Sequence, residues 1–436
     1  MKLLLVTYYF PPSGGAGVQR TLKYTKYLRE YGVEPIVLTV EAGAYPSLDP
    51  TLETDVPPGV EVIRTKALDP FGLYGAITGT SRKEAVAVGS VADTDSWGKK
   101  LGLWARANVF LPDARVGWVP FAVRAARERL ARGDVGAMLT SGPPHSAHLV
   151  GLRLRRQRQA LGIQWIADFR DPWTGITFYD ELPMTPLARR LDHALERRVL
   201  READRVITVS PTWGRDLEEQ GGLGSDSVEI IQNGFDPADF ADVDEPVRTD
   251  AFEIAHVGSL YGPRNPEGLW RAIADLRARG EVPKLRVRLV GRVDGVVEAS
   301  LAAHGLTEIV DRTPVVPHDE AVRAMARAGL LVLSIEPVRK DEGILTGKLY
   351  EYLASTRPVL ALGPVGADAD RLLRETGGGT LVARDDARGA AEVVREHYRA
   401  WEAGSPLAGA APEALGTLSR RAQAGEVAAL VRDGAR

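Results

Sequence analysis

Lys348 and Glu351 stand three residues apart in Thr346-Gly347-Lys348-Leu349-Tyr350-Glu351-Tyr352-Leu353. On a helix, that spacing brings an ammonium and a carboxylate onto one face. Leu349, Tyr352 and Leu353 supply an inward apolar stripe, and Thr346 is placed to cap the helix start through its hydroxyl. Free amides at a helix N-terminus beside a lysine make an anion site. A carboxylate one turn further on can accept bonds from vicinal hydroxyls. Phosphate at one end and ribose or sugar at the other describe a nucleotide-sugar well. An exposed helix ion pair, worth roughly a few tenths of a kcal/mol, fits the same spacing.

A second set follows the strand-like run Ile163–Ala167: Asp168-Phe169-Arg170-Asp171-Pro172-Trp173. Two carboxylates around an arginine at a strand end suit ligand contact or proton transfer. An internal salt bridge that locks the loop is the alternative. His145 and His148 follow the strand Val135–Leu139, at the kind of strand end where open α/β sheets bind ligands. Metal binding there needs a third ligand, and none is near in sequence. Gly14, Gly15 and Gly17 lie between the first strand, Leu3–Thr7, and a helix with Val18, Leu22, Tyr24, Tyr27, Leu28 and Tyr31 on its inner side. They allow close backbone approach to a ligand or serve as a tight turn. Their spacing is not G-x-G-x-x-G.

The elements that carry these residues alternate as strand and helix, so parallel sheets follow. Pro35–Val40 continues the first βαβ unit, and Arg205–Val209 leads to a helix capped by Ser210 with Pro211 at its first position. The acidic stretch Ala238–Asp250 reads as a domain linker. The alternation then restarts with strands at Phe252–Val257 and Leu285–Val290 and at Leu330–Ile335, which precedes the Lys348 helix. Asn265, with Pro266 behind it, is expected to cap the helix after Arg264. Residues 66–118 are the least regular. Gly75–Ser96 is rich in Gly, Ala, Ser and Thr and is bordered by Phe71, Tyr74, Trp97 and Trp104. An acceptor-binding flap, a membrane-surface contact and a variable loop all fit that composition.

At 436 residues the chain is expected to form two domains of about 200 residues each. Its 44% hydrophobic and 26% charged content is that of a globular protein. A net charge of −3 weighs against a general nucleic-acid binder. The absence of cysteine excludes disulfides, a thiolate zinc site and a cysteine nucleophile. No apolar run approaches the roughly 20 residues that span a bilayer, and Leu3–Thr7 is too short for a signal peptide. A cytoplasmic location is expected.

Taken together and in order, the motifs resemble those of the large family 4 of retaining glycosyltransferases. They are Pro11-Pro12-Ser13-Gly14-Gly15-Ala16-Gly17, Ile231-Gln232-Asn233-Gly234-Phe235-Asp236, Val257-Gly258-Ser259 with Arg264, and Gly347–Ala354. The resemblance covers nearly the whole chain. It implies an α/β GT-B fold, with two facing Rossmann-like domains, a ligand cleft between them and a C-terminal helix crossing back. Residues 1–236 with helix 418–436 would then form an acceptor-binding domain, and 237–417 a nucleotide-sugar-binding domain. It further implies that Glu351 binds the donor ribose, while Arg264 and Lys348 hold the diphosphate and stabilise the leaving group without a metal or other cofactor. Gly258, Ser259, Leu345, Thr346 and Gly347 fall on the donor side, and the Gly14–Gly17 loop, with Gly15 and Gly17 toward the donor, closes over the donor or shapes the acceptor pocket.

Two departures from the family pattern matter. Glu342 and Glu351 have eight residues between them where the signature E-x7-E has seven, and Gly343 stands at the seven-residue position. Either the loop is longer by one or the acid is replaced, which leaves Asp341 and Glu342 as candidates near the sugar. Arg170 and Asp171 stand where many members place a histidine. Asp171 therefore becomes the candidate for orienting or deprotonating the acceptor, with His145 next and Asp168, Arg170 and Trp173 around it. The implied co-substrates are a nucleotide sugar and a glycan, lipid-linked or small-molecule acceptor; sugar, base, acceptor and oligomeric state stay open. A GT-B nucleotide-sugar epimerase and a non-catalytic scaffold are the rival readings. Retention of Arg264, Lys348 and Glu351 together weighs against the scaffold.

Overall fold

The computed structural model describes residues 1–45, 47–68, 97–176, 179–241 and 250–434. The expected insert features at Phe71, Tyr74 and Gly75–Ser96, and the side chain of Trp97, lie outside the described residues. By its contacts the chain divides into two units, one of Met1–Gln232 with Gln423–Arg436 and one of Asn233–Ala422. The sequence-based boundaries, 236/237 and 417/418, fall four and five residues from these. Among the described residues no helix is long and apolar enough to cross a membrane.

Among the described residues, unit 1 holds seven strands: β1 (Lys2–Val6), β2 (Glu34–Val40), β3 (Glu61–Thr65), β4 (Val135–Gly142), β5 (Gln164–Phe169), β6 (Arg205–Thr208) and β7 (Val228–Ile230). All neighbours pair in parallel, in the order β3-β2-β1-β4-β5-β6-β7. The strands read as continuous apolar runs because both faces of the sheet are covered. Leu4, Val6, Leu38 and Trp165 pack on one side, and Leu3, Leu5, Val37 and Ile166 on the other. The final helix, Arg420–Asp433, lays Ala424, Val427, Ala428 and Val431 against the second face. The order reverses direction between β1 and β4, and the crevice outside the carboxyl ends of such strands is where open sheets take ligands.

Unit 2 repeats the scheme with β8 (Phe252–Val257), β9 (Leu285–Val290), β10 (Val310–Thr313), β11 (Leu330–Ser334), β12 (Val359–Leu362) and β13 (Gly379–Val382). The parallel order is β10-β9-β8-β11-β12-β13, with its reversal between β8 and β11. One helix start differs from expectation. The helix after Arg264 begins at Glu267 with Pro266 at the cap position, and Asn265 instead uses its side chain to accept from Trp270 Nε1 at 2.7 Å. A buried indole outcompetes the helix amides for that acceptor.

Candidate functional site

In unit 2 the predicted donor residues gather where β8 and β11 end. Val257 leads into Gly258, whose φ of +123° is open to glycine alone at little cost. The side chain of Lys348 lies across that glycine, and its Nζ reaches the carbonyl of Ser259 at 3.5 Å. The helix Gly347–Ala354 that carries Lys348 is clipped to the strand end by Tyr352. Its hydroxyl accepts from the amide of Val257 at 2.9 Å and donates to the carbonyl at 3.2 Å. Leu349, Tyr352 and Leu353 are buried, as the stripe predicts.

Arg264 enters the same place from the turn after β8. Its guanidinium lies 4.7 Å from the centroid of the Tyr261 ring and 3.4 Å from Glu336, and Glu336 also accepts from the Tyr261 hydroxyl at 2.9 Å. Glu336 follows β11, so the two strands flanking the reversal supply the cation and its anchor. Burial lowers the Lys348 ammonium to about 8; Arg264 pushes the same way and Glu351 opposes. Two cations forced together by the fold are stabilised by any polyanion placed between them.

Several polar atoms here have no protein partner. Arg264 Nε and Thr346 Oγ1 are buried and unsatisfied. Thr346 occupies the cap position, but its hydroxyl makes no capping bond, contrary to the sequence reading, so the amides of Gly347 and Lys348 gain no partner from it, while that of Leu349 donates to the Thr346 carbonyl at 3.1 Å. Space in front of Gly347 is open. Glu351 is half-buried, without an ion-pair or hydrogen-bond partner among the described residues, and burial raises its carboxyl. Glu342 is exposed and unpaired, whereas Asp341 is held by the Arg384 guanidinium. Leu345 departs from expectation. At 5% exposure it packs in the apolar core of unit 2 and offers a ligand no side-chain contact.

In unit 1 the acidic loop after β5 divides into parts. Asp168 and Arg20 are 0% and 1% exposed and form a two-pronged ion pair, with Arg20 Nε 3.0 Å from Oδ2 and Nη2 3.1 Å from Oδ1. Ser141 donates to the same carboxylate at 3.0 Å. Arg170 spends its guanidinium on backbone carbonyls: Gly142 at 3.2 Å, Pro143 at 2.7 Å, and Gly17. It thereby ties together the loops that follow β1, β4 and β5. Trp173, 2% exposed, donates to Asp192 at 3.0 Å. The acceptor-side roles read for Asp168, Arg170 and Trp173 are thus corrected to internal ones, since all three are buried with their polar groups directed at other parts of unit 1. A salt bridge does lock this loop, but through Arg20, not Arg170.

Asp171 differs. It is half-buried, has no hydrogen-bond or ion-pair partner among the described residues, and burial raises its carboxyl, offset by Arg170. His145 is stacked on Trp173 with centroids 5.2 Å apart and rings 8° from parallel, and His148 on Phe169 at 4.5 Å. Burial and the Arg170 charge push His145 down to about 3 and His148 well below its usual value. Both imidazoles are neutral near pH 7. His145, 7% exposed within an aromatic stack, is a poor candidate for a catalytic base. A Cβ at Gly142 would come within 2.7 Å of His148 and 2.8 Å of His145, so that glycine admits the pair. Gly15, with φ +89°, caps the helix Ala16–Tyr27, and Gly17 is held through its carbonyl by Arg170. Among the described residues, no three His, Cys, Asp or Glu side chains converge on a metal position.

Comparison with known proteins bears on this arrangement. Residues 81–239 match the family described as Glycosyltransferase Family 4. That match spans just over a third of the chain, which is in this stretch similar to the family 4 glycosyltransferases. A curated relative, D-inositol 3-phosphate glycosyltransferase of Nocardia farcinica, is 27% identical over 230 residues, 49% of this chain and 46% of that protein. The matched stretch therefore spans about half the length of the relative. Among solved structures, sucrose-phosphate synthase from Thermosynechococcus elongatus aligns with a TM-score of 0.61 at 17% identity, covering 99% of this chain and 98% of that one. Anabaena HepE in complex with UDP-glucose aligns with a TM-score of 0.52 at 14% identity, covering 100% and 97%. At such identities the likeness is one of fold, and the fold is of the GT-B class, with two Rossmann-like units. Sequence reasoning missed Glu336, Tyr261 and Arg20. Glu336 carried a signal, since it directly follows the strand beside the reversal; Arg20 carried none, as its partner lies 148 residues away.

Proposed function

We propose that this chain transfers a glycosyl group from a nucleoside-diphosphate sugar to a hydroxyl of a glycan, lipid-linked or natural-product acceptor, with retention at the anomeric carbon. The observation that carries the reading is the cradle in unit 2: Lys348 laid over Gly258, Arg264 beside it, open helix amides at Gly347, and an unpaired Glu351 one turn further. A diphosphate against Gly258 meets both cations and the helix N-terminus, and Glu351 accepts bonds from the ribose hydroxyls. Ser259 borders the diphosphate, and Glu342 is the free acid for the sugar.

As the bond from the anomeric carbon to the diphosphate oxygen breaks, the electron pair leaves with the phosphate. Arg264, Lys348 and the helix amides meet the charge that develops there. The acceptor oxygen then bonds to the oxocarbenium-like carbon on the same face. Its proton passes to the departing phosphate oxygen or to Asp171, the free carboxylate of unit 1. In this reading unit 2 holds the donor and unit 1 the acceptor, and no metal is required because the protein's own cations do that work. The likeness to HepE, solved with UDP-glucose, supports the donor class.

The test is calorimetric titration with a panel of nucleoside diphosphates and their sugars, with and without EDTA. Binding of one diphosphate that survives EDTA and is lost in Glu351→Ala is the expected result. Binding of none of them would overturn the donor assignment. A product whose anomeric configuration is inverted by NMR would overturn retention.

A further inference from the structure

A cavity of about 480 Å³ opens on unit 1, away from the residues discussed so far, with arginines as most of its wall and Leu152 and Leu154 as its apolar part. Five arginines line it, namely Arg127, Arg153, Arg155, Arg156 and Arg198, together with Gln157. They come from four separate helices: Val119–Leu130, Ser146–Arg153, Arg155–Ala160 and Pro186–Glu202. The third helix starts immediately after a break at Leu154, so the arginines on either side of the break splay around one opening while Leu154 itself is buried. Gln157 donates to the carbonyl of Arg127 at 3.0 Å and so fixes two of the walls to each other.

The charge is poorly compensated. Glu202 accepts from Arg155 at 3.2 Å and from Arg198 at 2.9 Å. Arg127, Arg153 and Arg156 have no ion-pair partner among the described residues. Helix Pro186–Glu202 carries Arg190, Arg197 and Arg201 outside the cavity, the last two donating to the carbonyls of Gln220 and Gly221, while its Asp192 and Glu196 point inward and are buried. A chain with a net charge of −3 thus concentrates guanidinium groups in one concave place. Solvated arginines on a convex helix repel one another little. Held around a cavity, they raise the potential inside it and draw in a counter-anion.

We propose that this cavity is a binding site for a phosphorylated anion of two or more negative charges, distinct from the donor cradle in unit 2. Guanidinium forks match phosphate oxygens two at a time, and three unpaired ones exceed what a single carboxylate can neutralise. The volume is larger than one phosphate needs, so the ligand carries an organic body or several phosphates. The phosphate is that of a free phosphorylated compound or of a lipid headgroup.

The test uses the full chain, wild type and Arg153→Glu/Arg156→Glu, with Arg279→Glu/Arg388→Glu in unit 2 as a control for charge alone. Tripolyphosphate is titrated in the presence of saturating nucleoside diphosphate, and co-sedimentation with phosphatidylglycerol vesicles is measured beside it. Tripolyphosphate binding weakened at least tenfold in the unit 1 variant but not in the control supports the site and a free ligand. Vesicle binding lost in the same selective way, without tripolyphosphate binding, supports the site and a lipid headgroup. Equal behaviour of all three proteins, or an equal loss in the control, overturns the proposal. Thermal unfolding of each variant checks that the charge reversals leave the fold intact, and Arg153→Gln/Arg156→Gln replaces the first variant if they do not.

Discussion

Lys348 occupies the space that a β-carbon on residue 258 would need: its Nζ and Cε lie 2.2 and 2.3 Å from where that atom would be built. The strand end, its positive φ and the cation are therefore a single construction. Gly258→Ala is expected to displace the ammonium and to strain the backbone at φ +123°, a cost of about 1–3 kcal/mol. Nucleoside-diphosphate affinity should fall at least tenfold, much as in Lys348→Ala, with a melting temperature lower by several degrees. Calorimetry and thermal unfolding check both, and wild-type affinity in Gly258→Ala would mean the lysine does not act from this position.

The pH dependence of that affinity follows from the lysine. With its ammonium lowered to about 8, Lys348 is charged below that pH and increasingly neutral above it. Diphosphate binding is expected to be level up to about pH 8 and then to weaken, approaching tenfold per pH unit. Binding above pH 8 should take up a proton, which titrations in buffers of different ionisation enthalpy detect. Lys348→Ala should flatten this limb of the profile.

Asp168 and Asp171, three residues apart in sequence, are expected to fail in different ways when changed. Asp168→Asn leaves the Arg20 guanidinium buried without its counter-charge, a loss of about 3–5 kcal/mol. That corresponds to a fall on the order of ten degrees in melting temperature. Asp171→Asn removes a carboxylate with no partner, so unfolding should barely move while turnover drops by tenfold or more. The two variants compared by thermal unfolding and by product formation give the check, and unimpaired turnover in Asp171→Asn removes it from the mechanism.

Glu196 provides a stability test in unit 1. It accepts from the hydroxyl and amide of Thr174, yet burial dominates and raises its carboxyl to about 7. A carboxyl raised in the folded state adds stability that is complete below its unfolded value, near 4.5, and is lost as pH rises through about 7. Glu196→Gln should therefore gain melting temperature relative to wild type at pH 8 and show little or no gain at pH 5. Melting curves across that range check the sign.

The strands and the donor helix were legible because periodicity and capping residues report burial directly. Leu330–Ser334 and Gly347–Ala354 fall where the apolar runs and the Lys348–Glu351 spacing put them. What a side chain does once folded was harder to read when its partner is distant. Asp168 looks like a ligand contact until Arg20 appears beside it, and Trp173 reads as part of the acceptor side until Asp192 claims its indole. Leu345 failed for a local reason: a loop residue between two functional motifs turned into the core. Asn265 had the chemistry of a cap, but Trp270 was the stronger claimant.

The return of Ala424, Val427, Ala428 and Val431 to the first sheet sets the order in which the protein can be made. Unit 2 is one uninterrupted stretch, Asn233–Ala422, and has all its strands as soon as that stretch leaves the ribosome. Unit 1 is synthesised first, and although helix Ala16–Tyr27 already covers part of that face of its sheet, the rest of the cover arrives some 190 residues later. During that interval the part of the face that Ala424, Val427, Ala428 and Val431 will cover stays open to solvent or a chaperone, and unit 1, begun before unit 2, is completed after it.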